Sequence, residues 1–280
     1  MKVINQSIFF LVFIAIFTDL FSQNKLKLQF DYANKLFAAH QYFDAITEYK
    51  RLQFFDTAKQ YAYQTNYQIA MCYKLGAHFD NAIKYFFISE QNAITTQQKF
   101  NSKIQIIRTN ILRRTTEEAL QLLDSLDNNV LYDTKKDTIN YWRGWAFIFA
   151  NEWEKAANSF AKIDNQHPLK IICQRVDKEK YSVTFAKVIS YILPGAGQIY
   201  TGHILSGLMS LSWNLLAGYW TVNSFVSNRI FDGFVVGDLV WLRFYRGNIQ
   251  NAEKFAVQKN IDIANKTLRY LQTQYEGIKP

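Results

Sequence analysis

The side chains that could do chemistry stand apart from one another in this sequence. Histidine occurs at His40, His78, His167 and His203, each without a second ligand type nearby, whereas a bound metal needs three or four such groups brought together. No Ser-His-Asp, Cys-His or paired-carboxylate arrangement emerges, so nothing points to acyl transfer, thiol catalysis or acid–base hydrolysis. Cys72 and Cys173 are the only cysteines. Two so distant make no disulfide framework, and Cys72 reads as a small buried residue. Pro194-Gly195-Ala196-Gly197-Gln198 superficially imitates a phosphate loop, but no Gly-Lys-Ser/Thr follows and no strand precedes it. Asp232 and Asp238 sit in an apolar stretch, where a carboxylate is either a proton or ligand site or faces a partner helix. The expectation is therefore no enzyme, with no catalytic residue, cofactor or metal.

The elements that would position any site begin with a repeat. From residue 28 to about 168 a short pattern recurs: Tyr42 to Ile46, Phe79 to Ile83, Thr116 to Leu120 and Trp153 to Ala157. Its alanines, Ala45, Ala82, Ala119 and Ala156, each follow the last by 37 residues. Four residues on from each comes Tyr49, Phe86, Leu123 or Phe160, and twelve before each comes Ala33, Ala70, Ile107 or Gly144. Small residues are needed where two helix axes approach most closely. Aromatics three before and bulky residues four after share one helix face and fill the gap to the neighbour. Each hairpin then has an apolar flank that only another hairpin can cover, which is the logic of a solenoid. Sparse Gly and Pro, 11 and 3 in 280 residues, agree with long helices and short loops.

This spacing of small and aromatic residues resembles the tetratricopeptide repeat. Units one, two and four follow the pattern, and the third departs from it at Ile107 and Thr116. Pro168 falls where that family tends to place a terminating proline. The longer period implies turns about three residues longer than in the family's usual repeat of about 34. The resemblance implies a curved groove that binds a protein or peptide. On the first helix of the second unit, Tyr63 and Tyr67 share a face with Ala70 and Lys74, a stripe read as core.

Composition changes near residue 184. Between Lys187 and Arg229 no side chain is charged over 41 residues. Within that stretch Ile204 to Val226 is 23 residues long, enough at 1.5 Å per residue to cross about 30 Å of hydrocarbon. Trp213, Tyr219 and Trp220 fit interfacial anchors, and Ser206, Gly207, Ser210 and Gly218 would admit a second helix closely. Asn214 and Asn223 dilute the run. A second stretch, Ile230 to Tyr245, completes a hairpin. The motif Pro194, Gly195, Gly197, Gln198, Tyr200 and Gly202 breaks any helix arriving from Tyr181 and predicts a turn at or in the membrane. It is similar to small membrane domains of bacterial envelope proteins of the Bacteroidetes type, and Arg243 to Asn248 fits the same resemblance. That resemblance implies membrane residence and no catalysis. Beyond Gly247 an amphipathic helix is expected, with Ala252, Phe255, Ala256 and Ile263 on its apolar side.

At the other end, Lys2 and the apolar run Ile8 to Phe17 read as an export signal, with Ser22–Gln23 as a cleavage point and no cysteine for lipid attachment. Export removes nucleic acid as a partner for the net charge of +9. A basic group at Lys170, Arg175, Lys178, Lys180 and Lys187 pulls the other way, because positive flanks favour the cytoplasm. A secretory signal dominates such a bias, so the repeats are expected in the periplasm and the anchor in the inner membrane.

The expected fold class is all-α: a tetratricopeptide-like solenoid of hairpins followed by a helical membrane hairpin. Its parts would be a leader over 1–22, repeats over 23–168, a basic linker over 169–183, the hairpin over 184–246 and a C-terminal helix over 247–280. The expected partners are the lipid bilayer and a protein or peptide of the cell envelope. Two functions fit this architecture: a scaffold docking a partner through its repeats, or an accessory factor for membrane-protein insertion or transport acting through the hairpin. Oligomeric state is not legible.

Overall fold

The structure, a computed structural model, describes residues 25–280; the expected leader lies outside them. All regular structure among the described residues is helical. The chain separates into two compact units, one running to Lys170 and the other covering Ile171–Lys279.

The first unit is a run of antiparallel pairs. Helix α1 spans residues 25–38 and pairs with α2 (Tyr42–Phe55); α3 (Ala62–Leu75) pairs with α4 (Phe79–Gln91), α5 (Thr96–Arg113) with α6 (Thr116–Asp127), and α7 (Lys136–Phe149) with α8 (Trp153–Ala161). Each pair also packs on the next, with α2 against α3, α4 against α5 and α6 against α7. A 3-10 turn, Val130–Lys135, leads into α7. The same backbone turn joins the helices of every pair. His40, Ala77, Arg114 and Asn151 all adopt positive φ, near 60°, and recur every 37 residues. In each, the amide of the next residue bonds back five residues: Gln41 to Leu36, His78 to Tyr73, Thr115 to Asn110 and Glu152 to Phe147. These are left-handed helix-terminating turns. None of the four is glycine, so each stores strain that the packing around it must exceed.

That packing comes from the repeated positions. Ala33, Ala45, Ala70, Ala82, Ala119 and Ala156 are fully buried, as are Tyr49, Phe86, Leu123 and Phe160. Each of those large side chains contributes about 2–3 kcal/mol by leaving water. Gly144 shows why the first-helix position must be small: a Cβ there would lie 2.4 Å from Cζ of Phe160. The third pair keeps the geometry despite its sequence, because Ile107 is fully buried and a capping box of Thr95 and Gln98 starts α5.

The stretch 169–183, expected as a linker, is mostly helix: α9 runs Pro168–Glu179. Proline suits a first helical position, and Leu169, Cys173 and Val176 bury one side at i, i+4 and i+7.

The second unit contains α10 (Val183–Ile192), short α11 (Ala196–Tyr200), α12 (Ile204–Val226), α13 (Ile230–Val235), a π-helical segment Val236–Trp241 and α14 (Leu242–Thr273). Ser182 caps α10 by accepting the Phe185 amide at 3.1 Å. The amphipathic helix expected beyond Gly247 begins earlier, at Leu242. Gly247 sits inside α14 with nothing near its missing Cβ, and the packing of α14 on α10, α11 and α12 carries the helix through. Among the described residues no helix is both long and apolar enough to cross a membrane. Helix α12 has the expected length but not the hydropathy. Ser206, Gly207, Ser210, Ser212, Asn214, Thr221 and Asn223 dilute it.

Candidate functional site

In the second unit the motif residues form a junction. Helix α10 must end at Pro194, which has no amide to offer the carbonyl of Ser190 four residues earlier. The missing donor comes from α14: Nδ2 of Asn248 bonds that carbonyl at 3.0 Å. The next carbonyl, of Tyr191, accepts the Tyr245 hydroxyl at 2.7 Å. The amide of Gly195, turned away from the helix, donates to Oδ1 of Asn248 at 2.7 Å, and the Ser210 hydroxyl of α12 joins the same oxygen at 3.1 Å. The backbone carbonyl of Asn248 accepts Nε2 of Gln198 at 3.3 Å. One side chain, 2% exposed, thus ties three helices to the turn.

The glycines follow from this closeness. Gly195 has φ of +93°, and a Cβ on it would lie 2.1 Å from the carbonyl oxygen of Gly207. At Gly197 a Cβ would lie 2.3 Å from the carbonyl of Ala186 and 2.6 Å from Cβ of Ala252. Gly202 takes φ of +83° in the turn into α12. Tyr200 accepts the Ser182 amide at 3.2 Å and stacks edge-on against Tyr181 and Phe185.

Beside this junction lies a cleft of about 950 Å3 between α12 and the helical run that leads into α14. Its walls are mixed. Leu205, Met209 and Leu239 are apolar, and Trp213 stacks on Phe244 with ring centres 5.3 Å apart. Asp238, Arg243 and Arg246 line it as well, none of them with an ion pair or hydrogen bond among the described residues. Asn214, 5% exposed, donates to the Ser210 carbonyl at 2.8 Å, while its Oδ1 is buried without a partner.

The first unit has its own polar row, built from the first helices of successive pairs. Lys74 of α3 is buried and donates to Oε1 of Gln105 of α5 at 3.1 Å. Burial, with the Arg108 charge nearby, pulls its ammonium down to about 7. Arg108 lies 4.6 Å from the ring centre of Trp142 of α7, and its pKa is lowered by burial. Burial raises the Tyr67 phenol, against the opposing pull of its hydrogen bond from Gln105 and the Arg108 charge. Between α4, α5 and α6, Ile83, Phe87, Ile88, Ile106 and Leu122 surround an apolar hollow of about 560 Å3, rimmed by Lys84 and a Lys103–Glu90 ion pair of 3.1 Å.

No protein-family model matches the chain, and no curated protein or solved structure matches it. The residues themselves therefore carry the functional reading.

The structure gathers Pro194, Gly195, Gly197, Gln198, Tyr200 and Gly202 around one turn, with Asn248 as the group that ties it. It spaces the small repeat residues Ala33 to Ala156 and Gly144 along the cores of four helix pairs. The histidines each meet an aromatic ring: His40 bonds Tyr42 at 2.9 Å, His78 meets Tyr73 edge-on, His167 stacks on Phe160, and His203 lies 3.9 Å over Phe255. Among the described residues no group of three His, Cys, Asp or Glu could hold a metal ion. Cys72 and Cys173 are free and buried, their thiols pushed up to about 12. Asp232 lies 3.8 Å from Arg229. Lys74, read as part of a core stripe, is buried there, whereas sequence reasoning missed its bond to Gln105 and the cleft that Asp238 shares with two arginines. The only available signal was charge at positions flanked by apolar residues.

Proposed function

We propose that this protein is a membrane-anchored scaffold of the bacterial envelope, whose tetratricopeptide-like repeats hold a protein or peptide partner while the C-terminal unit sits in the inner membrane as a helical hairpin. The observation that carries the anchor is an inversion of polarity. In α12 the buried residues are Gly207, Asn214, Ala217, Thr221 and Ser224. Leu205, Leu208, Leu215, Trp220, Val222 and Val226 are exposed. Helix α10 follows suit, burying Ala186 and Ser190 and exposing Val188 and Ile192. Small and polar residues inside with large apolar ones outside suit lipid, where helices associate by close packing and hydrogen bonds. In water an exposed apolar surface this continuous is unfavourable. Much of the polarity that lowers the average hydropathy of α12 is turned inward, so the outward face is more apolar than the mean.

Support for docking comes from the apolar hollow around Phe87, which a peptide could cover. The scaffold does no chemistry on its partner and uses no cofactor. The charged cleft beside Asn214 favours a second reading, an accessory role in membrane-protein insertion or transport through the C-terminal unit.

The test is extraction of membranes with alkaline carbonate, together with protease access to a tag at Pro280. The full-length protein is expected to stay with the pellet, and release into the supernatant would reject the anchor. For docking, a chain deleted for residues 23–180 should fail to restore a deletion strain; full restoration would move the function to the hairpin.

A further inference from the structure

The cleft between α12 and α14 combines three features that a mere packing gap lacks. Its acceptors are unsatisfied: Oδ1 of Asn214 is buried without a donor, and the Asp238 carboxylate has no partner among the described residues. Its donors are unsatisfied as well. Arg243 and Arg246, three apart on α14, share a helix face, and neither is paired among the described residues. Although both signs line one cleft, no carboxylate oxygen of Asp238 comes within 4.0 Å of either guanidinium. The third feature is the wall, where exposed Leu205, Met209 and Leu239 continue the apolar surface of the unit. Asp238 itself stands in a π-helical segment, Val236–Trp241, a distortion that recurs at functional positions.

We propose that this cleft binds the headgroup of an aminophospholipid. Two guanidiniums three residues apart can straddle a phosphate with charge-assisted hydrogen bonds. The ammonium then answers Asp238, so each charge in the cleft meets its opposite. The acyl chains leave along Leu205 and Met209 into the bilayer. A purely anionic lipid would satisfy the arginines and leave Asp238 facing negative charge; a soluble zwitterion would leave the apolar wall uncovered.

This inference rests on the membrane reading, and the experiment separates the two. The full-length protein is purified in detergent and offered phosphatidylethanolamine, phosphatidylglycerol or phosphatidylcholine, and retained lipid is counted by native mass spectrometry. One phosphatidylethanolamine should be kept, about tenfold in preference to the others, and Arg243→Ala/Arg246→Ala should lose it by about the same factor. Asp238→Asn should erase the preference over phosphatidylglycerol while phosphate binding persists, a result that general misfolding would not produce. Equal retention of all three lipids, or retention unchanged in the double variant, overturns the proposal. So does displacement of the lipid by equimolar soluble glycerophosphoethanolamine, which would indicate a soluble ligand. In parallel, the protein is reconstituted into phosphatidylcholine vesicles and washed with alkali. Release there sinks the membrane reading; firm retention without captured phosphatidylethanolamine sinks only the lipid site.

Discussion

The amide of Gly195 donates to Oδ1 of Asn248 at 2.7 Å, across 53 residues of chain. The same Asn248 side chain reaches back with Nδ2 to the Ser190 carbonyl that Pro194 leaves without a donor. A proline-ended helix is thus finished by a side chain from another helix, and the turn is only as stable as that tie.

Replacing Asn248 with Leu strands a buried amide and a buried carbonyl. The expected loss is about 2–4 kcal/mol, since each orphaned buried group costs about 1–3 kcal/mol. Tyr245→Phe removes a single bond to a more exposed carbonyl and should cost about 1 kcal/mol. Denaturant titration of the detergent-solubilised protein, followed by tryptophan emission, checks both. Equal effects would contradict the hub role of Asn248.

At Gly144 the added methyl of an alanine would meet the Phe160 ring at 2.4 Å. Gly144→Ala should destabilise the repeats by about 1–3 kcal/mol through overpacking. Combining it with Phe160→Leu should recover part of the loss, because the ring is the obstacle. Urea unfolding of the single and double variants tests this, and simple additivity would argue against it.

Burial holds Lys74 at about 7, below its ordinary value of 10.5. Between those values the unfolded chain carries a proton that the folded chain does not, so stability rises with pH across that window. Below about 7 both states are protonated and the gain is absent. The Cys72 thiol, raised to about 12 from 9.0, works the other way once the unfolded thiol ionises. The clean comparison is therefore pH 7 against about pH 8.5, where the repeats should gain about 1–2 kcal/mol. Lys74→Met should flatten that slope in a denaturation series.

Native thiols should be inert. Cys72 and Cys173 are buried with thiols held near 12, so an alkylating reagent at about pH 8 should modify neither until unfolding exposes it. Mass spectrometry of peptides after timed labelling in rising urea reports each unit separately, since the two cysteines lie in different units. Rapid labelling of either in native buffer would contradict its burial.

Much of the repeat unit was legible because its signal is local and periodic. A small residue every 37 positions, with a bulky one four later, marks each helix pair of this chain. The third pair was less legible at Ile107 and Thr116, yet its backbone is the same. Arg114 takes positive φ as His40, Ala77 and Asn151 do, and residue types that differ this much carry no common letter code. That α14 runs on through Gly247 has a related reason. A helix-breaking tendency of about 1 kcal/mol is outweighed when flanking residues such as Ala252 and Ala256 are fully buried.

What the sequence determined by itself was helix, its period, and the break at Pro194, because backbone geometry and side-chain size act over a few residues. What only the tertiary structure decided was which side of α12 is buried, which donor answers Ser190, and that Asp238 shares a cleft with Arg243 and Arg246. Those depend on groups far apart in the chain. Spacing along a helix says which residues share a face, but only packing chooses the face that turns inward.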